Sequence, residues 1–490
     1  MATNIDRFNL FSFSGKMKVL HMSWMAFFVT FVVWFNHAPL MSAIKDTLGL
    51  TKAEVSTLLI LNVALAIPAR ILIGMLTDKF GPRLIYSVLL VLCSVPCFLF
   101  AFADTFTQAA VARFMLGFIG AGFVIGIRMV GEWFPANELG RAEGIYGGWG
   151  NFGSAAAAMA LPALALAFGG EEGWRYAIAL TGVLSIFFGV LYYLGVSDTP
   201  KGSTYFRPKN LGAIEVTSKG DLWILLVMKM PIFLALALLT WKLSPSGVGL
   251  LSASAENTLY LFLFIGYLYD AWQAWHVNRN LFKAPVPEIH QYKFKQVAVL
   301  NVLYFATFGS ELAVVSMLPL FFSDVFGLNM VQAGLLASSY AFMNLMSRPA
   351  GGLISDYFGR KLTLVIMIAG LALGYFVFAQ VDSSWPLVLA VITAMACSFF
   401  VQAGEGAVFA VVPLIKRRLT GQIAGMTGAY GNIGAVCYLT IFSFVGYQAF
   451  FMIIGLSALV GLASLFFMEE PRGHMAEVRE DGTVELIEVA

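Results

Sequence analysis

The chain is poor in charge. Only 12% of its 490 residues are Asp, Glu, Lys or Arg, against roughly 25% in a soluble globular domain. The 30 basic and 28 acidic residues leave a formal net charge of +2, too small to attract nucleic acid. Cysteine is scarce as well. Cys93, Cys97, Cys397 and Cys437 lie in apolar stretches, without paired spacing in exposed loops, so no disulfide framework is expected. His21 and His37 lack metal-ligand spacing, and no metal is expected. A Walker loop, a dinucleotide-binding glycine loop and a catalytic constellation are all missing, so neither a cofactor nor an enzymatic activity is expected. The N-terminus, MATNIDRFNLFSFSGKMK, has no apolar core and no small-residue cleavage site, which points to a first hydrophobic segment kept as a start-transfer helix.

Apolar residues fill the space that charge leaves. They make up 59% of the chain, and the mean hydropathy is +0.81, which indicates an all-α polytopic protein of the lipid bilayer. Spanning helices need roughly 20 apolar residues. Such runs fall near 19–41, 54–76, 84–103, 108–134, 143–168 and 176–196, and again near 297–321, 331–353, 362–380, 386–414, 421–444 and 447–468. Two more, 222–242 and 257–275, lie between the sets and bring the total to fourteen. The expected organisation is a six-helix half (1–196), a linker with two extra segments (197–296), a second six-helix half (297–468) and a short acidic tail (469–490) read as a solvated end. Loops on the N-terminal side hold most of the basic residues, including Lys201, Arg207, Lys209, Lys219 and the run Lys416, Arg417, Arg418. By the positive-inside rule both termini are cytoplasmic. The extra pair is expected to be a transmembrane hairpin, with a hairpin lying in or on the membrane as its alternative.

The two halves repeat one another. GMLTDKFGPR (74–83) and GLISDYFGRK (352–361) each join a second span to a third by a short basic turn. Glycine permits the tight turn, and Asp78 or Asp356 can cap a helix or pair with a cation. These stretches, with RFMLGFIG (113–120), resemble the major facilitator superfamily, whose fold has two pseudo-symmetric six-helix halves. The extra pair lies outside that twelve-helix core. Arg70 and Arg348 each precede the repeated Asp by eight residues. At 1.5 Å per residue each lies about 12 Å inside the membrane edge, where an arginine costs roughly 2.5–3.5 kcal/mol on insertion scales. Two arginines at equivalent depth favour a shared anion site over a merely structural cation.

A second duplication follows. GGWGNFG (147–153) returns as GAYGNIG (428–434), each just inside a turn on the fifth helix of its half. The glycines Gly148, Gly150, Gly153, Gly428, Gly431 and Gly434 let helices approach, and Asn151 and Asn432 add N–H donors without charge. Interhelical packing alone is the competing explanation. The two motifs resemble the nitrate signature of the nitrate/nitrite porter family, in its bacterial and cyanobacterial type. SWMAFFVTFVVWF (23–35), EWFP (132–135), TFGSELAVVSMLP (307–319) and GEGAVFAVVPLIKRR (404–418) agree with it. The resemblance implies that Arg70 and Arg348 grip the anion, flanked by the Asn motifs, with Tyr304, Phe308 and Phe123 as an aromatic clamp.

Nitrate is planar and suits the guanidinium fork. The function implied is uptake of nitrate, with nitrite, across the plasma membrane (the bacterial inner membrane) by a secondary transporter acting as a monomer. Transport of another small anion, a carboxylate or phosphate compound, is the alternative on the same fold, and a membrane anion sensor is the alternative outside transport. Glu311, Glu405 and Arg128 are intramembrane charges on first and fourth helices of their halves, which the resemblance implies line the cavity, and are candidates for coupling or counter-charge. Glu132 and Arg113 are read as structural, and Lys229 as snorkelling or facing a neighbour. Accumulation needs a symported cation such as a proton, or exchange for an internal anion. Glu311 is either the proton acceptor or a permanent counter-charge to the excess arginine.

Overall fold

A computed structural model of the chain describes residues 8–169, 172–203, 205, 213–287, 291–416, 419–471, 473–478 and 484–488. Arg207, Lys209, Arg417 and Arg418, counted above among the basic loop residues, lie outside the described residues. Among the described residues the helices form fourteen rods. In the first half these are α1 (Gly15–Phe35), α2 (Lys52–Ala64 and Ala66–Phe80), α3 (Pro82–Ala101), α4 (Phe106–Leu116 and Gly122–Trp133), α5 (Ala136–Phe168) and α6 (Gly173–Gly195). Between the halves come α7 (Lys219–Leu243) and α8 (Ala253–Asn278). The second half holds α9 (Phe294–Phe326), α10 (Met330–Phe342 and Asn344–Phe358), α11 (Arg360–Phe378), α12 (Leu387–Phe409), α13 (Thr420–Phe442) and α14 (Tyr447–Ser464). Eleven helical stretches are long and apolar enough to cross a membrane, among the described residues. The rods α8, α10 and α13 fall outside that set, each diluted by polar residues and glycine.

Helix starts follow their sequence. Thr51 with Glu54, and Asn329 with Gln332, form full capping boxes at α2 and α10, each satisfying two otherwise orphaned N–H groups. The repeated turns use Gly81 and Gly359 at φ +92° and +93°, a region in which only glycine is unstrained. The helix after each turn is capped by an acid from beyond the last helix of its half. Asp198 Oδ1 accepts from Arg83 N at 2.8 Å, and Glu470 accepts from Arg360 N and Lys361 N at 2.5 and 2.8 Å.

The outer rods carry the lipid-facing side chains, such as Leu92 on α3, Phe187 on α6, Leu373 on α11 and Val460 on α14, all exposed. The inner rods α1, α4, α5, α9, α12 and α13 are buried along most of their length. Both α2 and α10 are broken five residues before their arginines, at Leu65 and Met343. The break in α4 is a 3-10 turn, Gly117–Ala121. These interruptions set the depth of the site.

The extra pair stands as a helical hairpin beside the second half. α7 leans on α13, α9 and the first part of α2, while α8 packs chiefly on α7. Lys229 Nζ meets Asp270 Oδ1 at 2.6 Å, tying α7 to α8, so the lysine has a neighbour and does not snorkel. Tyr430, inside the second signature, donates to the Met228 carbonyl at 2.7 Å and fastens α7 to α13. The tail, read above as a solvated end, contains an antiparallel pairing of His474–Val478 with Val484–Glu488. Its acidic composition carries no period-two signal strong enough to announce a strand.

The turn between α7 and α8 should lie on the face opposite the termini, since seven rods, an odd number, separate it from either end. Ser246→Cys and Ser254→Cys, both at exposed positions, are expected to react with an impermeant maleimide only from that face. Labelling from the terminal face alone would turn the hairpin into an interfacial one.

Candidate functional site

The four elements that carry the repeated motifs meet at the centre of the bundle. Arg70, on α2 just after its break, is fully buried. Its Nε donates to the carbonyl of Gly120 at 3.0 Å, in the 3-10 turn of α4. Its Nη1 donates to the Gly428 carbonyl at 3.0 Å, on α13 of the opposite half. Its Nη2 has no hydrogen-bond partner among the described residues. Arg348, on α10 and 1% exposed, is held differently. Nη1 binds Glu405 Oε2 at 2.6 Å, and Nη2 donates to the Tyr304 hydroxyl at 2.9 Å. Glu405 is therefore the counter-charge of Arg348, whereas Arg70 forms no ion pair among the described residues.

Two rings stand between the arginines. The Arg70 guanidinium carbon lies 5.6 Å from the Phe123 centroid and 4.7 Å from that of Phe308; the Arg348 carbon lies 5.1 and 5.8 Å from the same two. Phe123 and Phe308 are inclined by 23° with centroids 6.5 Å apart. Tyr304 stacks on Phe308 at 5.0 Å, as their four-residue spacing requires. The clamp residues expected from sequence are thus brought together with both arginines. A guanidinium over an aromatic face is stabilised by the ring quadrupole, by about 2 kcal/mol or more when desolvated.

Glu311, on α9, sits in a cage of amides. Asn151 donates to Oε2 at 3.3 Å from the first half; Asn344 and Gln402 donate to Oε1 at 2.5 and 3.5 Å from the second. The side-chain carbonyl oxygens of all three amides lack a hydrogen-bond partner among the described residues. Asn344 and Gln402 escaped the sequence reading, although a signal was present. They precede Arg348 and Glu405 by four and three residues, one helical turn along the same face.

The two signatures share a backbone but not a task. Asn432 donates to the Gly428 carbonyl of its own helix at 3.1 Å, the same carbonyl that receives Arg70. It does not reach a carboxylate as Asn151 does. The glycines divide into two kinds. A Cβ on Gly150 would stand 2.0 Å from the Phe27 ring, and on Gly431 2.5 Å from that of Phe308. On Gly153 and Gly434 it would strike the carbonyls of Phe28 and Phe305 at 2.2 and 2.4 Å. These four glycines let α5 lie against α1 and α13 against α9, which is the packing role. Gly428 and Gly147 instead make room for arginines: a Cβ would lie 2.8 Å from Arg70 Nη1 and 2.7 Å from Arg348 Nε. Gly148 lies against the Asn344 carbonyl. Gly147, the first letter of the repeat, was not singled out from sequence, yet its register with Gly428 marks it.

Arg128 lies elsewhere. It pairs with Asp78 at 3.3 Å and Glu132 at 2.9 Å near the end of α4, and its guanidinium lies 5.0 Å from the Tyr205 ring. Burial pushes the Tyr205 hydroxyl up to about 12, so it stays protonated and donates to the Thr77 carbonyl at 2.8 Å. The structure thus gives Arg128 and Glu132 to the turn after α2, away from the central arginines. Arg113 donates twice to Asn36 Oδ1 at 3.0 Å, a structural contact.

Comparison with known proteins agrees with this architecture. Residues 23–276 and 300–488 match the family described as Major Facilitator Superfamily. The chain is 48% identical to the nitrate/nitrite transporter NrtP of Picosynechococcus, over 97% of each chain, and 47% identical to that of Nostoc punctiforme, over 96% of each. Among solved structures it resembles the xylose transporter XylE of E. coli in a partially occluded inward-open conformation. That match has TM-score 0.63 and 13% identity, and covers 94% of this chain and 99% of the other.

The glycine contacts generate a graded expectation. Gly153→Ala meets backbone at 2.2 Å, whereas Gly131→Ala meets nothing within 4 Å. Overpacking of that kind costs about 1–3 kcal/mol, so Gly153→Ala should clearly lower the midpoint of thermal unfolding in detergent while Gly131→Ala should not. Equal midpoints would remove the packing role.

Proposed function

The chain belongs to the major facilitator superfamily and, within it, to the nitrate/nitrite porter family, and we propose that it takes up nitrate and nitrite by alternating access of its two halves. One observation carries this reading: among the described residues Arg70 is a fully buried cation with no carboxylate partner and one nitrogen, Nη2, unused. An anion placed there supplies the missing acceptor. The Phe123 and Phe308 rings, inclined by only 23° with centroids 6.5 Å apart, present flat faces beside both guanidinium groups. A tetrahedral anion suits that geometry less. Arg70, Arg348, Phe123, Tyr304 and Phe308 are the proposed binding residues. Each arginine touches the opposite half at a signature glycine, so the bound anion sits on the seam that rocking opens. The proposed setting is the plasma membrane, with both termini cytoplasmic, on the distribution of basic loop residues.

Charge balance extends the proposal to a proton. Arg70 and Arg348 contribute two positive charges, and Glu311 and Glu405 two negative, leaving a neutral site before the anion arrives. A buried net charge is costly, so the anion enters with a cation. Glu405 is held by Arg348, and Glu311 is the group that accepts the proton. An amide can donate to a carboxylate or, flipped, accept from a carboxylic acid. The three unused carbonyl oxygens around Glu311 let its cage satisfy either form, which a cationic partner would not. Uptake with one proton also removes the cost of about 2.3 kcal/mol per 100 mV that an anion meets at an inside-negative potential.

In proteoliposomes, Arg70→Lys should weaken nitrate binding by at least about tenfold, since a charge-assisted hydrogen bond contributes about 1.5–3 kcal/mol. Nitrite should compete well, and tetrahedral phosphate poorly. Unchanged affinity in a folded Arg70→Lys variant would refute direct contact. Glu311→Gln should abolish uptake driven by a proton gradient while sparing nitrate counterflow. Uptake with the wild-type pH dependence in that variant would exclude Glu311 from coupling.

A further inference from the structure

Glu143 lies on α5, in the stretch GRAEG, one turn before Gly147 and outside the central site. It is 4% exposed, and neither carboxyl oxygen has a hydrogen-bond partner among the described residues. An ionised carboxylate left in that condition costs several kcal/mol, far more than the neutral acid. Among the described residues the charged groups that face it are Arg360 and Asp356. Arg360 is ion-paired with Asp356 at 2.5 Å and makes no hydrogen bond to Glu143 among the described residues.

The surroundings are the seam between the halves near the terminal face. On the same helix, Gly140 stands against the Asp356 carboxylate, and Gly144 against Pro349 and the Arg348 carbonyl. The pseudo-symmetric seam is built alike, with Gly421 against Asp78 and Gly425 against the Arg70 carbonyl. There the position of Glu143 is held by Ala424, three residues after the first glycine in both cases. Closing such a seam therefore does not require a carboxyl group. Its presence in one seam calls for another reason.

We propose that Glu143 is a proton site of the cytoplasmic gate, buried as the neutral acid when α5 and α10 close and releasing its proton to the cytoplasm when they part. The sign follows from linkage. The closed gate holds the proton and the open gate does not, so acid favours closure and a rise in cytoplasmic pH favours opening. One linked proton shifts the gate equilibrium by up to about tenfold per pH unit. Opening toward the cytoplasm then depends on internal pH separately from any proton carried by Glu311. The inference rests on alternating access and on the proposed orientation, not on which anion is carried.

The test uses the full chain in lipid nanodiscs, with the native cysteines replaced by alanine and spin labels at Arg141→Cys and Tyr357→Cys. Both positions are exposed and stand on opposite sides of the seam. Without nitrate, the population at long label separation should grow severalfold between about pH 5.5 and pH 7.5, within the tenfold-per-unit ceiling. Glu143→Gln should stay closed at both values. Glu143→Ala, which copies the other seam, should also lose the pH response and guards against misreading a misfolded Gln variant. A pH response that persists in both variants, or is missing from the parent, would overturn the proposal. Because no anion is present, that outcome leaves the nitrate reading to its own test.

Discussion

A guanidinium buried at mid-membrane must find compensation within the protein, and this chain buries two beside each other. Most other features of the interior answer that requirement. The broken second helices place Arg70 and Arg348 at equal depth. The 3-10 turn in α4 and the first glycine of the second signature present carbonyls to Arg70, and Glu405 neutralises Arg348. Aromatic faces cover the remaining sides, where water would screen the charge and an aliphatic wall would leave it unsolvated. The compensation stops one step short at Arg70. That shortfall, an Arg70 Nη2 without a hydrogen-bond partner among the described residues, is the vacancy that the proposed anion fills.

The paired signatures show how a duplicated scaffold can hold an asymmetric site. Four of the glycines serve helix contact identically in both halves. The asparagines have diverged: Asn151 reaches across to Glu311, whereas Asn432 turns back on its own helix beside the Arg70 contact. Helix packing and contact with the central charged side chains are therefore carried by different residues of the same seven-residue motif. Because the arginines touch backbone of the opposite half, rocking the halves apart must break those contacts, and an anion between them can hold the halves together until it leaves.

Much of this was legible in the residues. Periodic apolar runs and the repeated G-x-x-x-D-x-x-G turns disclosed two pseudo-symmetric halves, and the depth of the arginines suggested their convergence. The partners of those arginines were less legible. Glu405 was visible as an intramembrane charge, but nothing in sequence pairs it with Arg348 rather than leaving it to face Arg70. Arg128 had the same signature of a charge in an apolar helix, yet five residues beyond Phe123 it already belongs to the Asp78 turn. Glu143 was silent because a carboxylate near a helix end reads as solvated until its neighbours are known. The amides Asn344 and Gln402 were overlooked since a neutral polar side chain in a membrane helix is commonly interhelical glue.

The central claim is that the anion site is neutral when empty and fills only together with a proton. Calorimetric titration of nitrate into the purified transporter, repeated in buffers of different ionisation enthalpy at one pH, counts the protons taken up on binding. The account predicts about one proton per nitrate, and none in Glu311→Gln. Tight binding of nitrate by the parent with no proton uptake would contradict it.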